Sequence, residues 1–192
     1  MRRVDVWYDF AVPLCFVAHE RARRWAALPA EVAWLPWETA PGTPADGRPR
    51  RPGEDALPQD VAAAFARERL AFKASPLVPN ARVALRGAIW VEGHATGERD
   101  VAADFRDGVF RRLYERGLDS HLGNAEVLAG LVERAGLDPI VFLDDMKAGA
   151  GEAELRAHGE RAKALGLRQA PTVVVDGAVQ ESLDAAERAV RG

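Results

Sequence analysis

The sequence predicts an α/β fold: a mixed four-stranded sheet divided into a β-α-β half and a β-β-α half by a large helical insertion. Three observations predict it. Short apolar or β-branched runs stand near both ends of the chain, Val4-Asp5-Val6-Trp7-Tyr8 and Thr172-Val173-Val174-Val175. Residues 58 to 165 between them carry apolar side chains at helical spacing. The late run is followed by Asp176-Gly177, a two-residue hairpin signal, whereas the early run leads into a helix that can serve as a parallel crossover.

Each element has its own reason. Val4 to Tyr8 reads as a buried strand, and Pro13 to Leu28 as a helix with Val17, Ala18, Ala22 and Trp25 on one face. Pro13 suits the first helical position, where no backbone N–H is needed. Val32 to Pro36 is the second strand. Residues 40 to 54 contain Pro41-Gly42-Thr43-Pro44 and Gly47-Arg48-Pro49-Arg50-Arg51-Pro52-Gly53, which predict an exposed, mobile loop. Helices are expected over 58–73, 80–93, 99–116, 124–135, 139–148 and 152–165. Asn124 and Asp138 suit N-caps, and Gly117, Gly136 and Gly166 suit helix stops. Ala178-Val179-Gln180 pairs back on the late strand, and Ser182 caps a last helix from Leu183 to Val190. The expected organisation is therefore a sheet domain built from 1–39 and 166–192, interrupted by a loop and helical insertion over 40–165.

Composition narrows the function classes. The 192 residues are 48% hydrophobic, and the net charge of −3 gives no bulk attraction to nucleic acid or an anionic membrane. Neither partner is expected. One cysteine excludes an internal disulfide. Asp5 and Asp9 break any apolar export segment after Met1-Arg2-Arg3, and no run of 18 apolar residues occurs, so a cytoplasmic protein without a membrane span is expected.

The most informative stretch is Asp9-Phe10-Ala11-Val12-Pro13-Leu14-Cys15-Phe16, between the first strand and its helix. A strand, a Cys-x-x-Cys turn and a helix form the frame of a dithiol redox site. Here Val12 holds the first sulfur's position and Cys15 the second. Dithiol exchange needs a resolving thiol in the same turn, and the chain has none. Valine offers neither thiol nor hydroxyl, and as a poor N-cap it forgoes about 1 kcal/mol. Cys15 is flanked by Leu14 and Phe16, whose apolar surroundings raise a thiol pKa, although the first helical turn favours thiolate. Two readings stay open: an inert buried thiol left from an ancestral site, or a working single thiol that takes up glutathione or senses peroxide.

Three stretches resemble the DsbA-like thioredoxin superfamily, in the branch with a helical insertion. That branch includes FrnE-type dithiol oxidoreductases, 2-hydroxychromene-2-carboxylate isomerases and kappa-class glutathione transferases. The first stretch is residues 9–16, similar to the family patterns Asp-Phe-x-Cys-Pro-Trp-Cys-Tyr and Asp-x-x-Ser-Pro-Tyr-x-Tyr. The second runs from Phe105 through Val109-Phe110-Arg111-Arg112-Leu113-Tyr114 to Asn124-Ala125-Glu126-Val127-Leu128 and Ala135-Gly136-Leu137-Asp138. The third is Ala162 to Gly177, with Ala170-Pro171 just before the hairpin.

The resemblance implies a thioredoxin fold, a cis Ala170–Pro171 bond and a catalytic turn at Val12, Pro13 and Cys15. It implies that the backbone of Ala170 beside Pro171 pairs with an extended thiol substrate. In glutathione-using relatives a serine at the Val12 position holds the glutathione sulfur, and a Ser-Asp pair at the last helix holds the γ-glutamyl end. Ser182 and Asp184 match that pair loosely, with Leu183 between them, and helix capping is the plain alternative.

The resemblance thus implies a thiol oxidoreductase-like protein, at most monothiol or glutathione-linked. A glutathione-dependent isomerase or transferase and a non-catalytic thiol- or peptide-binding relative are the alternatives. No cofactor is required, glutathione and a small thiol or peptide are the candidate ligands, and relatives often form homodimers.

Other polar and aromatic residues read more plainly. Trp34 and Trp37 flank Pro36, and Trp37 is a candidate cleft aromatic, whereas Trp7, Trp25 and Trp90 read as core or interface residues. His94 and His121 read as solvated histidines at helix ends, and Asp144-Asp145 as a charged helix face. No His/Cys/Asp spacing makes a metal site.

Overall fold

The computed structural model describes residues 1–25, 28–95, 100–118 and 122–192. His121, expected to be a solvated histidine at a helix end, lies outside the described residues. Strand β1 (Arg2–Tyr8) leads into helix α1 (Pro13–Trp25), and β2 (Ala30–Pro36) returns parallel to β1 with Val4 opposite Val32 and Tyr8 opposite Pro36. Late in the chain, β5 (Thr172–Val175) lies antiparallel to β1, and β6 (Ala178–Val179) pairs with β5 across the Asp176-Gly177 turn. The sheet order is β2-β1-β5-β6, so the first strand is central and flanked by both halves.

The pleat divides the core. Val4 and Val6 point to the face covered by α1 and by α8 (Leu183–Arg191), where they meet Trp25, Val173, Ala186 and Val190. Trp7 points the other way, against Val174 and Ala162 of α7 (Glu152–Ala164). Asp5 shares that face, and its carboxylate accepts a 3.0 Å bond from Arg161 of α7, whose guanidinium covers the Trp7 ring. A third and larger apolar cluster joins the end of β1 and the start of α1 to the helical block.

That block comprises α2 (Gln59–Arg67), α3 (Arg82–His94), α4 (Val101–Tyr114), α5 (Ala125–Arg134), α6 (Pro139–Ala148) and α7. Asn124 and Asp138 cap their helices as expected, accepting from the N–H groups of Glu126 and Ile140 at 2.8 Å each. The helix expected over 58–73 is shorter. It ends at Arg67, because Arg69 turns to φ 56° and Phe72 folds back against Phe65 and Tyr114.

The loop expected over 40–54 also differs. Arg48–Pro49 forms a short strand, β3, antiparallel to β4 (Leu77–Val78). Arg48 grips Glu54 with two bonds of 2.7 and 2.9 Å, and Arg50 donates to the carbonyls of Ser75 and Glu54. Side-chain fastening therefore supplies the order that Pro and Gly content alone does not reveal.

The α6–α7 junction depends on Gly151, which has φ +74° and packs its Cα onto α3. A Cβ there would stand 2.8 Å from the Arg86 carbonyl oxygen. Gly151→Ala is expected to destabilise the protein by about 1–3 kcal/mol, measured by denaturant unfolding; an unchanged midpoint would show that the junction has room to move.

Candidate functional site

The turn between β1 and α1 is organised by Asp9. Its carboxylate accepts from Ala11 N–H at 2.9 Å, from Thr39 N–H at 2.8 Å and from the Thr39 hydroxyl at 2.7 Å. Asp9 is 1% exposed, and burial pushes its pKa above the ordinary value while these donors pull it back. This residue tethers the turn to the chain beyond β2. The sequence does not show this role, because the partner Thr39 is distant in the chain.

Val12 sits immediately before α1, and its amide donates to Asp9 O at 3.1 Å. It gives the helix no side-chain cap. Pro13 needs none, and the Cys15 N–H donates to the Val12 carbonyl at 3.0 Å, so the backbone supplies what the side chain does not. Cys15 is fully buried among Tyr8, Phe10, Phe16 and their neighbours. Burial pushes its thiol pKa well above the ordinary value, and the nearby Asp9 carboxylate raises it further. The single contribution in the thiolate's favour is the Asp9 N–H, 3.5 Å from Sγ.

The Ala170–Pro171 peptide is cis. Ala170 belongs to the same apolar cluster as Cys15 and Val12, so the late proline turn and the first helical turn meet in the fold. Beside them lies a cleft of about 570 Å³, lined by Leu14, Pro171, Gln180, Ser182, Asp184 and Arg67 among others. A second cavity of about 290 Å³ lies on the other side of the turn, with Ala11, Pro13, Phe72 and Tyr114 in its wall. Cys15 and Val12 line neither cavity.

The remaining expected residues have plainer partners. The Ser182 hydroxyl caps α8 by accepting from Ala185 N–H at 3.1 Å. Asp184 is bonded by Arg21 and lies 3.5 Å from Arg67, which lowers its pKa. Arg21 is 4% exposed and bridges Asp184 to Glu68, tying α8 to α1 and α2. An arginine among the apolar positions of α1 is the one signal that could have announced this pair.

Trp37 lines neither cavity beside the first turn of α1 and packs between two apolar clusters. His94 is exposed and stacks on Trp90 at 3.9 Å. Asp145 is more than a charged face, since it accepts a 2.7 Å bond from the Trp90 indole N–H.

Donor atoms of His19, Glu20 and Asp107 gather within 4.8 Å, a cluster invisible to spacing because it joins α1 to α4. Arg111 already donates to both carboxylates, at 2.8 Å each, which disfavours a second cation there. His19 is 2% exposed, and burial lowers its pKa.

These shifts set the pH profile. The folded thiol of Cys15 holds its proton above the ordinary value of 9.0, while the unfolded thiol releases it, so stability falls as pH rises through that value. On the acid side, folded His19 resists protonation, so stability falls as pH drops below 6.5. Chemical unfolding between pH 5 and 10.5 is expected to show both limbs, with Cys15→Ala flattening the alkaline limb by up to about 1.4 kcal/mol per pH unit. An unaltered alkaline slope in that variant would refute the assignment.

The family model described as DSBA-like thioredoxin domain matches residues 3–190. Among solved structures, a probable DsbA oxidoreductase from Streptomyces coelicolor superposes with TM-score 0.78 at 22% identity, covering 100% of this chain and 88% of that one. A 2-hydroxychromene-2-carboxylate isomerase gives TM-score 0.73 at 16% identity, covering 97% of this chain and 91% of that one. The cytosolic disulfide reductase DsbM from Pseudomonas aeruginosa, solved with GSH, gives TM-score 0.64 at 13% identity, covering 98% and 92%. At these identities the structures share the fold. No curated protein matches the chain.

Proposed function

The chain belongs to the DSBA-like thioredoxin domain family, and from that premise we propose that it is a thiol- or peptide-binding member without dithiol exchange activity. One observation carries the reading: the 570 Å³ cleft beside Pro171 is open, whereas the fully buried Cys15 does not line it. The walls of that cleft come from the proline turn, the start of α8, α2 and Leu14, and none of them supplies a sulfur. Arg67 and Gln180 give its rim charge and hydrogen-bonding groups suited to the carboxylates and amides of a peptide or of glutathione. Ala170 and Pro171 are the backbone surface for an extended ligand, and Ser182 and Asp184 mark the far end. Asp184 is already held by Arg21, so it acts there as part of an ion-pair network.

Monothiol chemistry at Cys15 gains no support from a thiol with raised pKa and zero exposure. A glutathione-dependent isomerase is favoured by one feature, the pair of cavities on either side of Pro13 and Leu14, which could seat glutathione and a second small molecule. No helix among the described residues is long and apolar enough to cross a membrane. We place the protein in the cytoplasm, where glutathione is plentiful, as a monomer or homodimer that needs no cofactor.

Titration calorimetry with S-methylglutathione tests the binding reading. Heat of binding is expected, with equal affinity in Cys15→Ser. No heat with S-methylglutathione or with a short extended peptide would refute it. Insulin reduction is expected to be negligible for the natural chain and measurable for Val12→Cys, which restores a Cys-x-x-Cys turn. Turnover by the natural chain comparable to a dithiol enzyme would overturn the reading of Val12.

A further inference from the structure

A cavity of about 360 Å³ lies away from the Pro171 cleft, between β2, α3 and α7. Tyr8, Trp34, Leu35, Ile89 and Arg106 contribute to its wall. Its size suits a molecule of one ring. Two of these wall residues carry buried donors with no hydrogen-bond partner among the described residues, the Tyr8 hydroxyl and Arg106 Nε. Tyr8 is 0% exposed and Arg106 3%. Burial raises the Tyr8 pKa, so its hydroxyl is a proton donor at any physiological pH.

The surroundings are aromatic. The Tyr8 ring meets Trp34 edge-on at 5.3 Å, and the Arg106 guanidinium lies 4.9 Å over the same indole. Both residues with an unpaired donor therefore pack on one aromatic plate. Leaving such donors unpaired costs stability, and an oxygen acceptor that reaches them recovers it.

Charge then selects the acceptor. Arg106 is already matched by Glu92 at 3.1 Å, with Asp100 at 3.9 Å. Glu92 and Glu154 both stand in the cavity wall, so an anionic ligand meets two carboxylates. A cation meets the buried guanidinium. His158, also in the wall, is bonded through Nδ1 to the Pro36 carbonyl at 3.1 Å.

We propose that this cavity binds a small, largely apolar molecule carrying one uncharged carbonyl oxygen, which accepts from Tyr8 Oη and Arg106 Nε as those two side chains turn toward it, while its ring packs against Trp34. The site shares no wall residue with the Pro171 cleft.

Acetophenone is the probe, with benzoate and benzylammonium as charged one-ring controls. In ¹⁵N-labelled protein, the Trp34 indole signal, identified by its loss in Trp34→Phe, is expected to shift saturably with acetophenone. Tyr8→Phe is expected to keep or raise thermal stability, since the removed hydroxyl had no partner, and to weaken acetophenone about fivefold to tenfold. Ile89→Trp, which fills the cavity while leaving both donors in place, is expected to abolish the shift. No shift at Trp34, equal affinity in Tyr8→Phe, or benzoate binding as tightly as acetophenone would each overturn the proposal.

Discussion

The aromatic seal over the first turn of α1 is the constraint on which the rest of the molecule depends. Phe16 stacks on Phe110 with ring centroids 5.5 Å apart and planes 13° from parallel. Phe10 packs on the same ring at 4.9 Å, and the Tyr114 hydroxyl donates to the Phe10 carbonyl at 2.8 Å. Helix α4 of the helical block is thereby pressed onto the mouth of α1. Such aromatic pairs are worth about 0.5–1.5 kcal/mol each beyond the area they bury. The seal joins the two parts of the chain and at the same time removes Cys15 from water.

Burial of that thiol follows from the neighbours rather than from the sulfur. A thioredoxin-type turn exposes its first sulfur at the helix mouth and keeps the second deeper. With Val12 in the outer place and Cys15 in the inner one, the helix dipole and the Asp9 N–H act on a group that desolvation already holds protonated. The cleft beside Pro171 depends on none of this. Its walls come from the proline turn, α8 and α2, and Arg21 locks the last two through Asp184 and Glu68. The shape of that surface therefore does not depend on exchange chemistry.

Local signals in the chain were enough for the sheet. Val4 to Tyr8, the Asp176-Gly177 turn and the β-branched late strand each specify one element, and together they predict a mixed sheet, whose order in the fold is β2-β1-β5-β6. Long-range side-chain pairing was not legible. The early end of α2 rests on Phe72 returning to Phe65 and Tyr114, and the order of the loop before it rests on Arg48 with Glu54. Of the candidate site, Val12, Pro13, Cys15, Ala170 and Pro171 were legible because a strand-turn-helix and a proline before a hairpin are local patterns. Asp9 with Thr39, Arg21 with Asp184, and Tyr8 with Arg106 could not, because each pair is made by residues far apart in sequence. The polar residues on otherwise apolar faces, Arg21 and His19 in α1 and Arg106 in α4, were the available hints.

The rate of Cys15 alkylation against denaturant concentration tests the sealed thiol most directly. The account predicts that iodoacetamide labels Cys15 only through unfolding, so that the rate at pH 8 rises with denaturant in step with the unfolded fraction and is negligible in its absence. Labelling of the native protein at the rate of a free thiol, independent of denaturant, would contradict it.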